Sequence, residues 1–207
     1  VILLGIDTCG GTGTLAVARL VADELQLAAA ADLPGRSTAA MLVPELGRML
    51  EEAGIALAEV HALVAVDGPG SFTGIRIGLA TAKALAEALG VPLCGISRLE
   101  VLSRTHGEAE VVLDAGRGEF YHRNGVAVES LRSVAELDAQ LGPDVVICEE
   151  KVSAVWPGVR LVEPPSAFDA IRAALPLVLA GVGADVAALD GRYLRRSDLY
   201  RTAAAGL

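Results

Sequence analysis

Two glycine-rich turns hold most of the residues able to do chemistry. The first runs Asp7-Thr8-Cys9-Gly10-Gly11-Thr12-Gly13-Thr14. Glycines there let backbone N–H groups converge without a Cβ in the way, and the hydroxyls add donors, which is the usual means of holding a phosphate. A hairpin that simply needs positive φ fits the same letters equally well. The second turn, Gly68-Pro69-Gly70-Ser71-Phe72-Thr73-Gly74, leads from an apolar run into a helix start, where the dipole and unpaired amides favour an anion. It is not a Walker A loop, because Thr73-Gly74 is followed by Ile75-Arg76 instead of a lysine and a hydroxyl. Asp7, Thr8, Gly10, Gly11, Thr12, Gly68, Gly70 and Ser71 are therefore the candidates for a vestigial phosphate site.

Three carboxylates, Asp7, Asp67 and Asp114, are predicted at the C-terminal ends of strands, where open α/β sheets place their ligands. Such a trio could hold magnesium, for a nucleotide or for two-metal hydrolysis. A nuclease also needs a basic track, and this chain has a net charge of −9 with Lys83 and Lys151 as its two lysines. His61, His106 and His122 lack metal-ligand spacing, and no G-x-S-x-G elbow occurs. No catalytic or metal-ligating residue is assigned. Cys9, Cys94 and Cys148 are widely spaced and read as three reduced thiols of a cytoplasmic protein.

These turns are positioned by a pattern used twice. Val1–Ile6, Thr14–Val21 and Leu25–Ala31 are apolar runs joined by connections short enough for hairpins. Leu42, Leu46, Met49, Leu50 and Ala53 recur at helical spacing up to Gly54, Val60–Val66 reads as a strand buried on both faces, Phe72–Leu89 as a helix stopped by Gly90, and Val91–Ile96 as a strand. The second half repeats the order more loosely. Strands are expected at Ala109–Leu113, Gly118–His122, Gly125–Val128, Asp144–Cys148 and Val159–Val162, with helices at Leu131–Leu141 and at Ser166–Leu179, the latter interrupted by Pro176. Two strand-strand-strand-helix-strand-helix units make two ribonuclease-H-like lobes with a cleft between them, residues 1–100 and a shorter 101–207. The N-terminus reads as a first strand and not as a signal peptide. The uncharged stretch Ala173–Ala184, with Pro176 inside it, falls short of the ~20 apolar residues of a membrane span.

The segment Ser71–Leu89 carries only Arg76, Lys83 and Glu87 as charges, all within a stripe about 40° wide at about 100° per residue. A surface helix needs a broader polar face, so this helix must be covered on more than one side. Gly74, Gly78 and Ala82 form a small-residue row that permits close approach. A second subunit docking through this helix and Leu42–Ala53 is the preferred reading; a helix sandwiched inside its own lobe is the competing one.

Several stretches carry a resemblance. They are Leu3-Leu4-Gly5-Ile6-Asp7-Thr8, Asp67-Gly68-Pro69-Gly70-Ser71-Phe72-Thr73-Gly74-Ile75-Arg76-Ile77-Gly78-Leu79, Gly95-Ile96-Ser97-Arg98-Leu99, Asp114-Ala115-Gly116-Arg117-Gly118-Glu119-Phe120-Tyr121 and Tyr193-Leu194-Arg195-Arg196. Together they resemble the bacterial TsaB (YeaZ) family. The resemblance implies an actin and sugar-kinase-like (ASKHA) fold with a truncated second lobe. It also implies a non-catalytic scaffold that binds TsaD and, with TsaE, supports transfer of threonylcarbamoyl to the adenosine next to the anticodon of tRNAs reading ANN codons. The family's helical interface maps onto Met41, Leu42, Pro44, Glu45, Met49, Phe72, Ile75, Arg76, Leu79, Ala80 and Lys83, with a homodimer competing when the chain is alone. On this reading tRNA is met mainly through partners, and no cofactor binds tightly, ATP and magnesium being used by the complex. Asp at Ile75 or Leu79 is then expected to abolish the complex. Where the family has a His-Ser or His-Thr pair, this chain has Thr38-Ala39. The rival from another class is an autonomous ATP-dependent phosphotransferase built on Asp7, Thr12 and Asp67.

Overall fold

Five strands make the first sheet: β1 (Ile2–Asp7), β2 (Thr12–Val21), β3 (Glu24–Pro34), β4 (Ala62–Val66) and β5 (Leu93–Ile96), in the order β3-β2-β1-β4-β5. The computed structural model that places them describes residues 1–34, 37–124, 128–183 and 186–194. Short turns force β1–β2 and β2–β3 to be antiparallel, whereas β1–β4 and β4–β5 are parallel and are reached through α1 (Thr38–Glu52) and α2 (Phe72–Leu89). All five residues of β4 are buried, as its unbroken apolar run requires. Helix α2 has both expected ends: the Ser71 hydroxyl accepts from the Gly74 amide, and Gly90 closes the helix in the left-handed conformation at φ 66°.

The second sheet repeats that topology. Its strands are β6 (Glu110–Gly116), β7 (Glu119–Asn124), β8 (Val128–Ser133), β9 (Val145–Ile147) and β10 (Arg160–Leu161), in the order β8-β7-β6-β9-β10. Two antiparallel and two parallel pairings recur in the same places as in the first sheet. The expected strand Gly125–Val128 falls largely on residues outside those described, and β8 begins at Val128.

Four α-helices differ from the sequence reading. Helix α3 (Arg98–Thr105) was not foreseen and stands between the sheets, with Leu99 and Leu102 packed on the second sheet and Val101 in the core of the first. The helix expected over Leu131–Leu141 is one turn, α4 (Val134–Asp138), because Leu131 pairs with Tyr121 in β8 and a capping box between Ser133 and Glu136 starts the helix there. Another single turn, α5 (Glu150–Ser153), follows β9. Helix α6 (Ala167–Leu179) runs through Pro176 without a break, since the proline sits in the last turn. It does not cover its own half of the chain. Ala167, Ala170, Ile171 and Ala174 lie in the core of the first sheet, where a Cβ on Gly5 would come 2.7 Å from the Ala167 carbonyl oxygen, so only glycine lets the helix backbone this close. A helix from beyond the expected boundary at residue 100 thus completes the first core.

The surroundings of α2 correct the partner argument. Gly74 and Gly78 face inward: a Cβ at Gly74 would lie 1.9 Å from the Thr8 carbonyl oxygen, and one at Gly78 2.3 Å from the Thr8 hydroxyl. The small-residue row admits the β1–β2 turn and not another helix. Part of the flank the sequence left uncovered is covered by residues 186–194. Leu189 enters the notch at Gly95, Gly191 lies against Ile75, the Lys83 ammonium donates to the Ala187 carbonyl at 3.5 Å, and the Tyr193 ring meets Phe72 at 5.2 Å. Leu42, Met49, Ile75 and Leu79 are core side chains, each 5% exposed or less. Aspartate at Ile75 or Leu79 would therefore unfold the chain, by burying an unpaired charge, and would not test an interface.

Candidate functional site: the cleft between the lobes

The ends of β1, β4 and β6 converge on a cleft of about 790 Å³. Its first-lobe wall is Thr8–Gly11, Thr38, Ala39, Pro69–Ser71, Thr73, Gly74 and Ile77, its second-lobe wall Asp114–Gly116 with Tyr121, and Arg98 lies at the junction with Glu149. Among the phosphate candidates, Thr8, Gly10, Gly11, Gly70 and Ser71 line it, while Asp7, Thr12 and Gly68 do not. The turn holding them is tightly tied. The Asp7 carboxylate accepts from the Cys9 amide at 2.8 Å, the Thr8 hydroxyl donates to the Gly74 carbonyl at 2.6 Å, and the Ser71 amide donates to the Cys9 carbonyl at 2.9 Å.

The three carboxylates are not gathered into one cluster; Asp67 and Asp114 each have an ion-pair partner, and Asp7 has Arg98 as its nearest electrostatic influence. Asp7, 3% exposed, faces Arg98, and burial outweighs that guanidinium in setting its carboxyl above the ordinary range. Asp67 is gripped through both oxygens by Arg192, at 3.1 and 3.2 Å, and the Arg192 amide donates to the Asp67 carbonyl at 2.6 Å. Its carboxyl is nevertheless pushed up, because Asp67 is 5% exposed while the Arg192 side chain is 40% exposed and shares its charge with water. Asp114 pairs with Lys151. No group of three or more His, Cys, Asp or Glu side chains that could hold a metal ion occurs among the described residues.

The thiols and imidazoles take structural places. Cys9 lies against the Val66 carbonyl at 3.3 Å, and burial raises both its pKa and that of Cys148, the latter to about 11. His61 Nδ1 accepts from the Ile2 amide at 3.2 Å, and His122 pairs with Glu110 at 2.5 Å. Arg98, Glu149 and Arg192 were not foreseen as site residues. The one local signal was Ser97-Arg98-Leu99-Glu100, which has capping spelling and puts an arginine at a helix start beside the first turn.

A family model described as "TsaD: tRNA N6-adenosine threonylcarbamoyltransferase" matches residues 18–189. TsaB of Escherichia coli is 33% identical over 112 residues, 51% of this chain and 48% of that protein. The chain belongs to that family, among its TsaB (YeaZ) members. An uncharacterised protein of Mycobacterium tuberculosis is 32% identical over 201 residues, 95% of this chain and 92% of its own length. A solved structure described as an uncharacterised protein with similarity to peptidase YEAZ from Pseudomonas aeruginosa is 25% identical, with a TM-score of 0.76 over 94% of this chain and 99% of that one. The match spans about half the length of the E. coli protein and of a Mycobacterium leprae relative. The two-lobed ASKHA fold expected of the family is the one observed. No helix among the described residues is long and apolar enough to cross a membrane.

Proposed function

We propose that this TsaB-family chain is a non-catalytic scaffold subunit in the synthesis of threonylcarbamoyladenosine in tRNA, pairing with TsaD and working with TsaE in the cytoplasm. The observation that carries the reading is the pairing of Asp67 with Arg192 and of Asp114 with Lys151, with Arg98 the nearby cation that acts on buried Asp7. In a phosphotransferase of this fold, carboxylates at these strand ends would be left open toward magnesium and phosphate. Here the chain supplies its own cations to Asp67 and Asp114 and buries Asp7, and Arg192 occupies the oxygens of Asp67 that the rival reading needs. ATP and magnesium then serve the complex and not this chain, and tRNA is met mainly through the partners.

The partner surface is what the core leaves exposed on α1 and α2. Pro44, Phe72, Arg76 and Ala80 are exposed, Met41, Glu45 and Lys83 half-buried, and Val43 joins them at 62% exposure. The Arg76 guanidinium lies 3.8 Å over the Phe72 ring, an aromatic and arginine pair of the kind that anchors interfaces. A self-dimer would use the same helices when TsaD is absent.

Reconstitution of the modified nucleoside from TsaD, TsaE, tRNA and precursors is expected to depend on this chain; equal yield without it, or ATP turnover by the isolated chain, would remove the reading. The interface has its own test. Ala80→Glu changes an exposed helical position, so the melting curve stays within about 0.5 kcal/mol of the parent. Co-purification with TsaD is expected to weaken at least tenfold, the equivalent of about 1.4 kcal/mol, because the carboxylate is desolvated on docking. Undiminished co-purification places the interface elsewhere.

A further inference from the structure

We propose that the partner surface of α2 extends onto residues 186–194, a strap that also joins the two lobes, so that a partner seated on it fixes the second lobe against the first. This rests on the docking reading of α1 and α2 given above. The strap is anchored in both halves of the chain. Val186 and Leu189 pack on the core of the first sheet, and Leu194 packs on the second-sheet cluster of Leu99, Leu113 and Val146. Between them Arg192 holds Asp67, just after β4, and its Nη1 lies 3.6 Å from Glu129 Oε2 in β8. Glu129 pairs through its other oxygen with Arg123 of β7 at 3.2 Å, and its Oε2 is buried without a hydrogen bond among the described residues. A buried carboxylate oxygen in that condition is costly, and a small movement of the strap toward β8 would complete the bond to Arg192. The contact between the lobes is thus half made, and the strap holds the missing donor.

The rest of the chain is shaped to seat the strap against α2. A Cβ on Gly95 would stand 2.6 Å from Leu189 Cδ1, and one on Gly68 3.1 Å from the Arg192 carbonyl oxygen. One on Gly191 would stand 2.7 Å from the Tyr193 ring and 2.8 Å from Ile75 Cγ2. Side chains at these positions would lift the strap away; glycine lets the Tyr193 ring lie back against Phe72. There the Phe72 ring is 51% exposed and Tyr193 37%, and the Arg76 guanidinium over Phe72 has no carboxylate partner among the described residues. Two half-open rings beside a cation suit a partner that presents an apolar side chain flanked by a carboxylate, and the strap supplies one of the rings. A partner that grips Tyr193 also holds Arg192, the adjacent residue, toward Glu129. By linkage, whatever affinity it gains from a seated strap returns as a tighter contact between the lobes.

The test is hydrogen–deuterium exchange of the full chain, alone and with saturating TsaD, read by mass spectrometry on peptides covering residues 186–194 and Val128–Ser133, together with the TsaD affinity of variants. In the parent, TsaD is expected to slow exchange in the strap, whose Arg192 amide donates to the Asp67 carbonyl, and in β8, which carries Glu129. Tyr193→Ala should bind TsaD at least roughly tenfold more weakly, and Tyr193→Phe should bind as the parent does, because the ring is what meets Phe72. Arg192→Ala, saturated with TsaD, should lose the slowing in β8. Ala80→Glu reports on the α2 surface itself: undiminished binding by that variant removes the docking reading and this proposal with it. Where Ala80→Glu does weaken binding, the strap's role alone is overturned by any of four results. These are parent-like affinity in Tyr193→Ala, equal weakening in Tyr193→Phe, unchanged exchange of the strap or β8 on adding TsaD to the parent, and slowing of β8 that survives in Arg192→Ala.

Discussion

Alanine in place of Gly74 is expected to destabilise the fold by about 2 kcal/mol, whereas the same change at Gly47 is expected to stabilise it. At Gly74 the new Cβ would lie 1.9 Å from the Thr8 carbonyl oxygen, a distance no relaxed structure contains. The obstacle is backbone and cannot rotate away. Thr8 is held from both sides, by its hydroxyl on the Gly74 carbonyl and by the Asp7–Cys9 turn beneath it. Overpacking of this kind costs roughly 3 kcal/mol at its upper end, and alanine's better helix propensity returns about 1 kcal/mol. At Gly47, in the middle of α1, nothing lies within 4 Å of the added methyl, so only the propensity gain of up to about 1 kcal/mol remains. Urea midpoints at unchanged slope would decide it, and shifts of the same sign at both sites would refute the packing described for α2.

The same helix shows what was legible in the letters. Both ends of α2 could be read, because Ser71 and Gly90 act within a turn of themselves. That Gly74, Gly78 and Ala82 needed room was also readable; what would fill it was not, since Thr8 lies 66 residues from Gly74 along the chain. Leu131, Val134, Leu137 and Leu141 have helical spacing, yet Leu131 pairs with Tyr121 in a sheet, and strand pairing is a contact between segments that no single-segment period encodes. The polarity of α2 correctly demanded a second cover, and residues 186–194 supply part of it from the far end of the chain. For the same reason the glycine turns and the three aspartates were visible as chemistry, while their meaning was not. It lies in the cations opposite them, and Arg192 stands 125 residues from Asp67.

That last pairing carries the second large effect. Arg192→Ala should destabilise the chain by about 2 kcal/mol at neutral pH, below the 3–5 kcal/mol of a fully buried pair because the guanidinium is 40% exposed. The loss has a pH signature that a simple packing defect lacks. Burial raises the Asp67 carboxyl above its ordinary value of 3.8, and Arg192 opposes that rise. Removing Arg192 lifts the folded-state pKa further, so the folded variant holds its proton to higher pH than the parent. Where both are ionised when folded, the variant bears the full cost of an unpaired buried carboxylate. As the pH falls, Asp67 of the variant takes up a proton first and relieves that cost, so the gap between parent and variant narrows through the window between the two folded pKa values. Below the parent's value both carboxyls are neutral and the electrostatic part of the gap is gone. Asp67→Asn should show the complementary behaviour, with adding Arg192→Ala to it costing less than in the parent, since the Asp67 charge is then gone and Glu129, 3.6 Å from Arg192, keeps its pair with Arg123. A gap between parent and Arg192→Ala that stays constant from neutral to acid pH would mean that Arg192 holds residues 186–194 by contact alone and that Asp67 is neutralised by something else.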